Sequence, residues 1–195
     1  MFEITRNHAL DVFGFQIDKP VIAVIGGSQG SHAINKLMKK SLNYILEKTD
    51  SQLIWQTGKN DYPSLSDIEN NHPAVKIFSF IDQMGHVYSA ADLIVSRAGA
   101  LSSAEITYCG KPSILIPFPH ATGDHQTKNA RTLSHNGAAV VLDEEGLTPE
   151  IFGNKVVQLL SSPKTLLQMS ELAKLASIPN SAEKIVDEIM LLAEA

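Results

Sequence analysis

Two glycine-marked turns, each following an apolar strand pattern and opening a helical one, constrain this chain more than any other feature. The first runs from Val21-Ile22-Ala23-Val24-Ile25 into Gly26-Gly27-Ser28-Gln29-Gly30-Ser31. The second runs from Leu93-Ile94-Val95 into Ser96-Arg97-Ala98-Gly99-Ala100-Leu101-Ser102-Ser103-Ala104-Glu105. A helix N-terminus carries unpaired N–H groups and partial positive charge, and glycine lets an anion approach the backbone closely. Glu105 falls just inside the second helix, where a carboxylate has acceptor capacity for both hydroxyls of a ribose. Together these features predict a nucleotide held by its diphosphate and its ribose. Singly, each has a plainer alternative: a tight, ligand-free strand–helix connection for the first turn, and a glutamate offsetting the helix macrodipole for Glu105.

Short apolar strands alternate with helical patterns along most of the chain. The strand patterns are Val21–Ile25, Gln52–Gln56, Val75–Phe78, Leu93–Val95, Ser113–Ile116 and Ala138–Val141. After Gly30, a 3.6-residue period puts Ile34, Leu37, Met38, Ile45 and Leu46 on one helical face. Further helices are predicted over Asp61–Asn70, Met84–Ala90, Leu101–Tyr108, Asp124–His135, Thr148–Leu160, Lys164–Ala176 and Ser181–Leu192. Strands apolar on both faces and separated by helices predict an α/β domain, a Rossmann-like, mostly parallel sheet with helices on both faces. Ligands in such folds bind at the carboxyl ends of the strands, where both turns fall. The first 19 residues are less regular and read as a lead-in.

Several function classes fall away. At 195 residues the chain suits one domain with a real core. A net charge of −5 gives no support for nucleic acid, which needs a basic face. Cys109 is the single cysteine, so it has no internal disulfide partner and fits a reducing compartment. At the end of a helical pattern it reads as a small buried hydrophobe rather than a nucleophile. No basic-then-apolar leader opens the sequence, and no apolar run approaches the roughly 20 residues that span a bilayer, so a cytoplasmic location is expected. The dinucleotide fingerprint fails, because Ser28 and Ser31 stand where its second and third glycines belong. Neither Gly58-Lys59-Asn60 nor Gly110-Lys111-Pro112 completes a phosphate loop, and no Asp-x-Asp pair occurs for a metal.

Four segments then match a known pattern in order and spacing. They are Gly26–Gly30, Phe80-Ile81-Asp82-Gln83-Met84, Arg97–Glu105 and Asp124-His125-Gln126-Thr127-Lys128-Asn129-Ala130. Over roughly residues 20 to 192 the chain resembles the MurG family, N-acetylglucosaminyltransferases of peptidoglycan synthesis that convert lipid I to lipid II. Ala176-Ser177-Ile178-Pro179 and the final helix are similar to that family's ending. The family has the GT-B fold, two Rossmann-like domains flanking the active-site cleft. The resemblance implies its C-terminal half: a lead-in over 1–19 and a donor-binding domain over 20–195, with the acceptor domain, its general base and its membrane-facing patch absent.

The resemblance further implies UDP-N-acetylglucosamine (UDP-GlcNAc) as donor, lipid I as acceptor through the missing domain, and no cofactor or metal. It implies peripheral attachment of the full enzyme to the cytoplasmic face of the membrane. By the same resemblance Gly26, Gly27, Ser28, Gln29 and Gly30 meet the diphosphate. Phe80 and Ile81 meet uracil, the Ile81 backbone reading the base edge, with Met84 as apolar wall. Gly99 is among the binding positions, Ala100, Leu101 and Ser102 stand close to diphosphate and sugar, Glu105 takes the ribose, and His125 and Gln126 meet the sugar hydroxyls. Arg97 either supports its turn or meets the diphosphate, and Arg6 is set against a family arginine that reaches the phosphates. No catalytic residue is expected here. Alternatives stay open: a metal site at His120, Asp124 and His125; a donor-binding subunit working with a separate acceptor-binding partner; a non-catalytic nucleotide-binding protein.

Overall fold

The computed structural model describes residues 4–178 and 181–193. A 6-stranded sheet is built from β1 (Val21–Ile25), β2 (Gln52–Gln56), β3 (Val75–Phe78), β4 (Leu93–Ser96), β5 (Ser113–Leu115) and β6 (Ala139–Val141). All its pairings are parallel and the order is β3-β2-β1-β4-β5-β6. This is the doubly wound arrangement, in which the order reverses between β1 and β4. Both faces of β1 are buried: Val21, Ala23 and Ile25 join one apolar cluster, Ile22 and Val24 the other.

The first cluster is covered by α1 (Arg6–Phe13), α5 (Met84–Ala90), α6 (Ala100–Tyr108) and α7 (His125–His135). The second is covered by α2 (His32–Thr49) and α8 (Pro149–Leu160), which pack on each other. Helix α9 (Pro163–Ala176) closes one end, followed by α10 (Ser181–Ala193). The apolar period read after Gly30 is the buried face of α2, with Ile34, Leu37, Met38 and Ile45 inward. No helix among the described residues is long and apolar enough to cross a membrane.

Three expectations change. The irregular lead-in contains α1, capped by the Thr5 hydroxyl, which accepts from His8 N–H, and stopped by left-handed Gly14. It buries Ala9, Leu10 and Phe13. The single helix over 61–70 is two short pieces, α3 (Tyr62–Leu65) and α4 (Ile68–Asn71), because i→i+3 bonds from Glu69 to Ser66 and from Asn70 to Asp67 tighten the join. Helix α7 starts one residue later than expected, since Gly123 and Asp124 both take left-handed backbone. Pro179, part of the chain-end resemblance, lies outside the described residues.

The glycine turn is locked by a backbone-to-backbone contact. Gly30 (φ +75°) and Gly58 (φ +82°) face each other, and a Cβ on Gly30 would overlap the Thr57 carbonyl. Gly27 (φ +93°) has open space where a Cβ would point. Gly30→Ala is therefore expected to destabilise the fold by roughly 2–4 kcal/mol, against about 1–2 kcal/mol for Gly27→Ala, in urea unfolding. Equal costs would overturn the contact's role.

Candidate functional site

Strand β1 delivers the first turn to the carboxyl edge of the sheet. A bond from Gly30 N–H to the Gly27 carbonyl (2.9 Å) closes it. Ser31 caps α2, its hydroxyl accepting from Ile34 N–H, so the N–H groups of His32 and Ala33 precede the first helical bonds. Ser28 and Gln29 stand exposed at the tip, and the Ser28 hydroxyl has no partner among the described residues. Behind the turn, Asn35 donates to the Thr57 carbonyl (2.8 Å) and to Asp61 (2.7 Å), and accepts from Trp55 Nε1 (2.9 Å). Burial alone would raise the Asp61 pKa; the bonds from Asn35 and His32 outweigh it, and the net direction is down.

Phe80 and Ile81 follow β3. Phe80 is 46% exposed, while Ile81 packs into the core. The Ile81 N–H donates to Gln56 Oε1 (2.8 Å), and Gln56 Nε2 donates to the Gly27 carbonyl (2.9 Å). The Ile81 N–H is therefore taken, and the carbonyl is the Ile81 backbone group left for a base edge. Gln56 itself was not singled out in the sequence. Its signal is a glutamine ending a strand whose every residue is buried.

The second turn leaves β4 beside the first, since Ile25 pairs with Ser96. Gly99 is the N-cap of α6 and makes no side-chain cap, and the first helical bond runs from Ser103 N–H to the Gly99 carbonyl. The N–H groups of Ala100, Leu101 and Ser102 are thus the open end of α6. Leu101 is 73% exposed. Glu105 lies one turn further in, where Tyr88 donates its hydroxyl to Oε2 (2.7 Å), leaving Oε1 without a protein donor among the described residues. Burial and then this bond push the Tyr88 pKa upward, so the phenol keeps the proton it donates. Met84, Tyr88, Ala100 and Glu105 border a groove of about 650 Å³ that continues to Tyr108 and Cys109. Burial first of all raises the Cys109 thiol pKa, in keeping with an unreactive side chain.

The Arg97 guanidinium is drawn toward the end of β5. Its Nη1 donates to the Ile116 and Pro117 carbonyls (3.0 and 3.1 Å) and pairs with Glu144 (2.5 Å), and the guanidinium lies over the Phe118 ring. Of its two roles, the structure supports the turn-holding one. Arg6 is likewise engaged, with the Ala90 carbonyl and Asp92, at the amino ends of the strands. That edge carries a separate cavity of about 550 Å³, on the far side of the sheet from both turns. The correspondence of Arg6 with a phosphate-reaching arginine does not hold in this arrangement.

The β5–α7 connection closes the site's other flank. His125 Nδ1 lies 2.7 Å from the Thr122 carbonyl, which only accepts, so the proton sits on Nδ1 and Nε2 is left for a ligand. Gln126 Oε1 accepts from Phe118 N–H (3.0 Å), leaving its Nε2 donors outward. Asn129, part of the fourth matching segment but given no role from it, donates to the Ala98 carbonyl (3.1 Å) and ties α7 to the second turn. Among the described residues no three metal-ligating side chains converge, so His120, Asp124 and His125 do not form a cluster.

Comparison with known proteins places this geometry. The model of the glycosyltransferase family 28 C-terminal domain matches residues 21–185. The UDP-N-acetylglucosamine--N-acetylmuramyl-(pentapeptide) pyrophosphoryl-undecaprenol N-acetylglucosamine transferase of Salinibacter ruber is 42% identical over 182 residues, 93% of this chain and 49% of its own length. The like-named protein of Porphyromonas gingivalis is 42% identical over 194 residues, 97% of this chain and 50% of its own. The chain thus spans about half the length of the curated relatives it matches. The crystal structure of Acinetobacter baumannii MurG aligns with a TM-score of 0.76 at 30% identity, over 97% of this chain and 54% of that one. WaaG, a glycosyltransferase of lipopolysaccharide biosynthesis, shares the fold at a TM-score of 0.67 with 15% identity, over 93% of this chain and 48% of that one. A parallel sheet of this order, two helix N-termini at its switch point and a match from 21 to 185 make the chain a member of glycosyltransferase family 28, as its C-terminal domain.

Proposed function

We propose that this chain binds UDP-GlcNAc as the donor half of an inverting N-acetylglucosaminyltransferase that converts lipid I to lipid II. The observation that carries the reading is the pair of helix N-termini, α2 and α6, side by side at the β1–β4 switch point, with a free Glu105 oxygen one turn beyond. Relatives at 42% identity whose names specify this donor and acceptor support it.

In the reaction, the muramyl 4-hydroxyl of lipid I attacks the anomeric carbon of GlcNAc. The new bond joins that oxygen to C1 as the bond from C1 to the β-phosphate oxygen breaks, and its electron pair leaves with UDP. The hydroxyl proton goes to a base on the acceptor domain, outside this chain. The donor half orients the sugar and meets the growing charge on UDP with N–H groups of the first turn and of Ala100, Leu101 and Ser102. Glu105 Oε1 accepts from ribose hydroxyls, the Ile81 carbonyl from the uracil N3–H. His125 Nε2 accepts from a sugar hydroxyl and Gln126 Nε2 donates to one. The membrane is met by the whole enzyme from the cytoplasmic face, through its other domain.

Calorimetric titration with UDP-GlcNAc, UDP and UDP-glucose, without metal, tests the reading; no binding of any of the three would sink it. Glu105→Ala is expected to weaken UDP by roughly 1–3 kcal/mol, and an unchanged affinity would remove the ribose assignment. His125→Ala and Gln126→Ala are expected to weaken UDP-GlcNAc more than UDP. Equal losses on both ligands would return the two residues to a structural role.

A further inference from the structure

Strand β2 ends in buried glutamines at both edges of the sheet, and each holds a backbone segment at both of its amide atoms. At the amino edge Gln52 accepts from Gln16 N–H (2.6 Å) and donates to the Gln16 carbonyl (2.9 Å), securing the entry to β1. At the carboxyl edge Gln56, 3% exposed, donates to the Gly27 carbonyl and accepts from Ile81 N–H. Its two bonds reach two different loops, one in each half of the donor site.

Peptide planarity turns these bonds into orientation. The Gly27 carbonyl and the Ser28 N–H belong to one trans peptide and point in opposite directions. With that carbonyl drawn inward by Gln56 Nε2 and Gly30 N–H, the Ser28 N–H must point out of the turn. Gly27, at φ +93°, has a backbone that would otherwise turn freely between alternatives. In the same way, holding the Ile81 N–H inward turns the Phe80 carbonyl of that peptide outward and sets the plane from which the Ile81 carbonyl follows. The amide's ends are not interchangeable: only NH₂ serves the Gly27 carbonyl and only the oxygen serves the Ile81 N–H.

We propose that Gln56 is a positioning residue for the donor, one amide setting both the diphosphate-facing Ser28 N–H and the base-facing Phe80–Ile81 segment. The inference rests on the donor-site reading above. It distinguishes Gln56 from Gln52, whose identical chemistry sits at the opposite edge and serves the fold alone.

The test compares UDP with uridine on Gln56→Glu, Gln56→Met and the control Gln52→Met, each followed also by thermal melting. A carboxylate at 56 still accepts from Ile81 N–H but cannot donate to Gly27. Gln56→Glu is therefore expected to lose about tenfold or more affinity for UDP beyond its loss for uridine. Gln56→Met is expected to lose affinity for both ligands, whereas Gln52→Met lowers the melting temperature and leaves both affinities near those of the unaltered chain. Equal losses of UDP and uridine in Gln56→Glu, or unchanged affinities in both Gln56 variants, would overturn the assignment. If UDP fails to bind the unaltered chain, the donor reading fails instead. Should the variants not fold, amide hydrogen exchange on the unaltered chain decides. Ile81 N–H is expected to be protected before and after UDP is added, and Ser28 N–H only after. An Ile81 amide that exchanges freely without ligand would refute the Gln56 bond.

Discussion

Strand β1 is the element on which the rest is registered. It is hydrogen-bonded to β2 on one side and β4 on the other, and all five of its residues are buried. Because both pairings are parallel, the turns after β1, β2 and β4 leave the sheet at one edge. Because Ile25 lies opposite both Gln56 and Ser96, they leave it at one level. From that alignment come the close backbone contact of Gly30 with Gly58, the reach of Gln56 to Gly27, and the neighbouring N-termini of α2 and α6. A slip of one residue in β1 would put its other side-chain set on each face and part the two turns.

The candidate site offers an anion backbone N–H groups, while Arg97 and Arg6 are drawn to other partners. Arg97 is committed to two carbonyls and Glu144, and Arg6 to Ala90 and Asp92 at the opposite edge. Lys111, at that same far edge, donates to the Ala91 carbonyl, and burial lowers its pKa. What faces the candidate diphosphate position is a set of N–H groups on two helix ends, fixed by the fold. Such groups meet charge developing on a leaving group without rearranging, whereas a long flexible cation loses side-chain freedom to reach it. Arg97 contributes at one remove, holding the second turn against the β5–α7 connection.

Much of this was legible from local pattern. The strands were placed within a residue at their ends, since each is a short apolar run bounded by turn residues, and parallel strands covered on both faces need no polar alternation. The glycine turns and the inward face of α2 follow from backbone conformation and helical period, which are properties of near neighbours in the chain. Helix α1 was missed, because its signals (Thr5 three residues before His8, apolar residues at 9, 10 and 13, and Gly14) make too short a run to stand out from a lead-in.

What tertiary structure alone decided was which polar groups were already taken. The Ile81 N–H, the Arg97 guanidinium and one oxygen of Glu105 each have a partner from a distant segment: Gln56, the Ile116–Pro117 carbonyls with Glu144, and Tyr88. The sequence, with its family resemblance, set a carboxylate, an arginine and a backbone edge near a glycine turn as expectations. It did not establish which of them remain free for a ligand, because hydrogen-bonding capacity is filled across strands whose neighbours are set by sheet order and not by chain order. The chemistry available at this edge is what remains after those long-range bonds have formed.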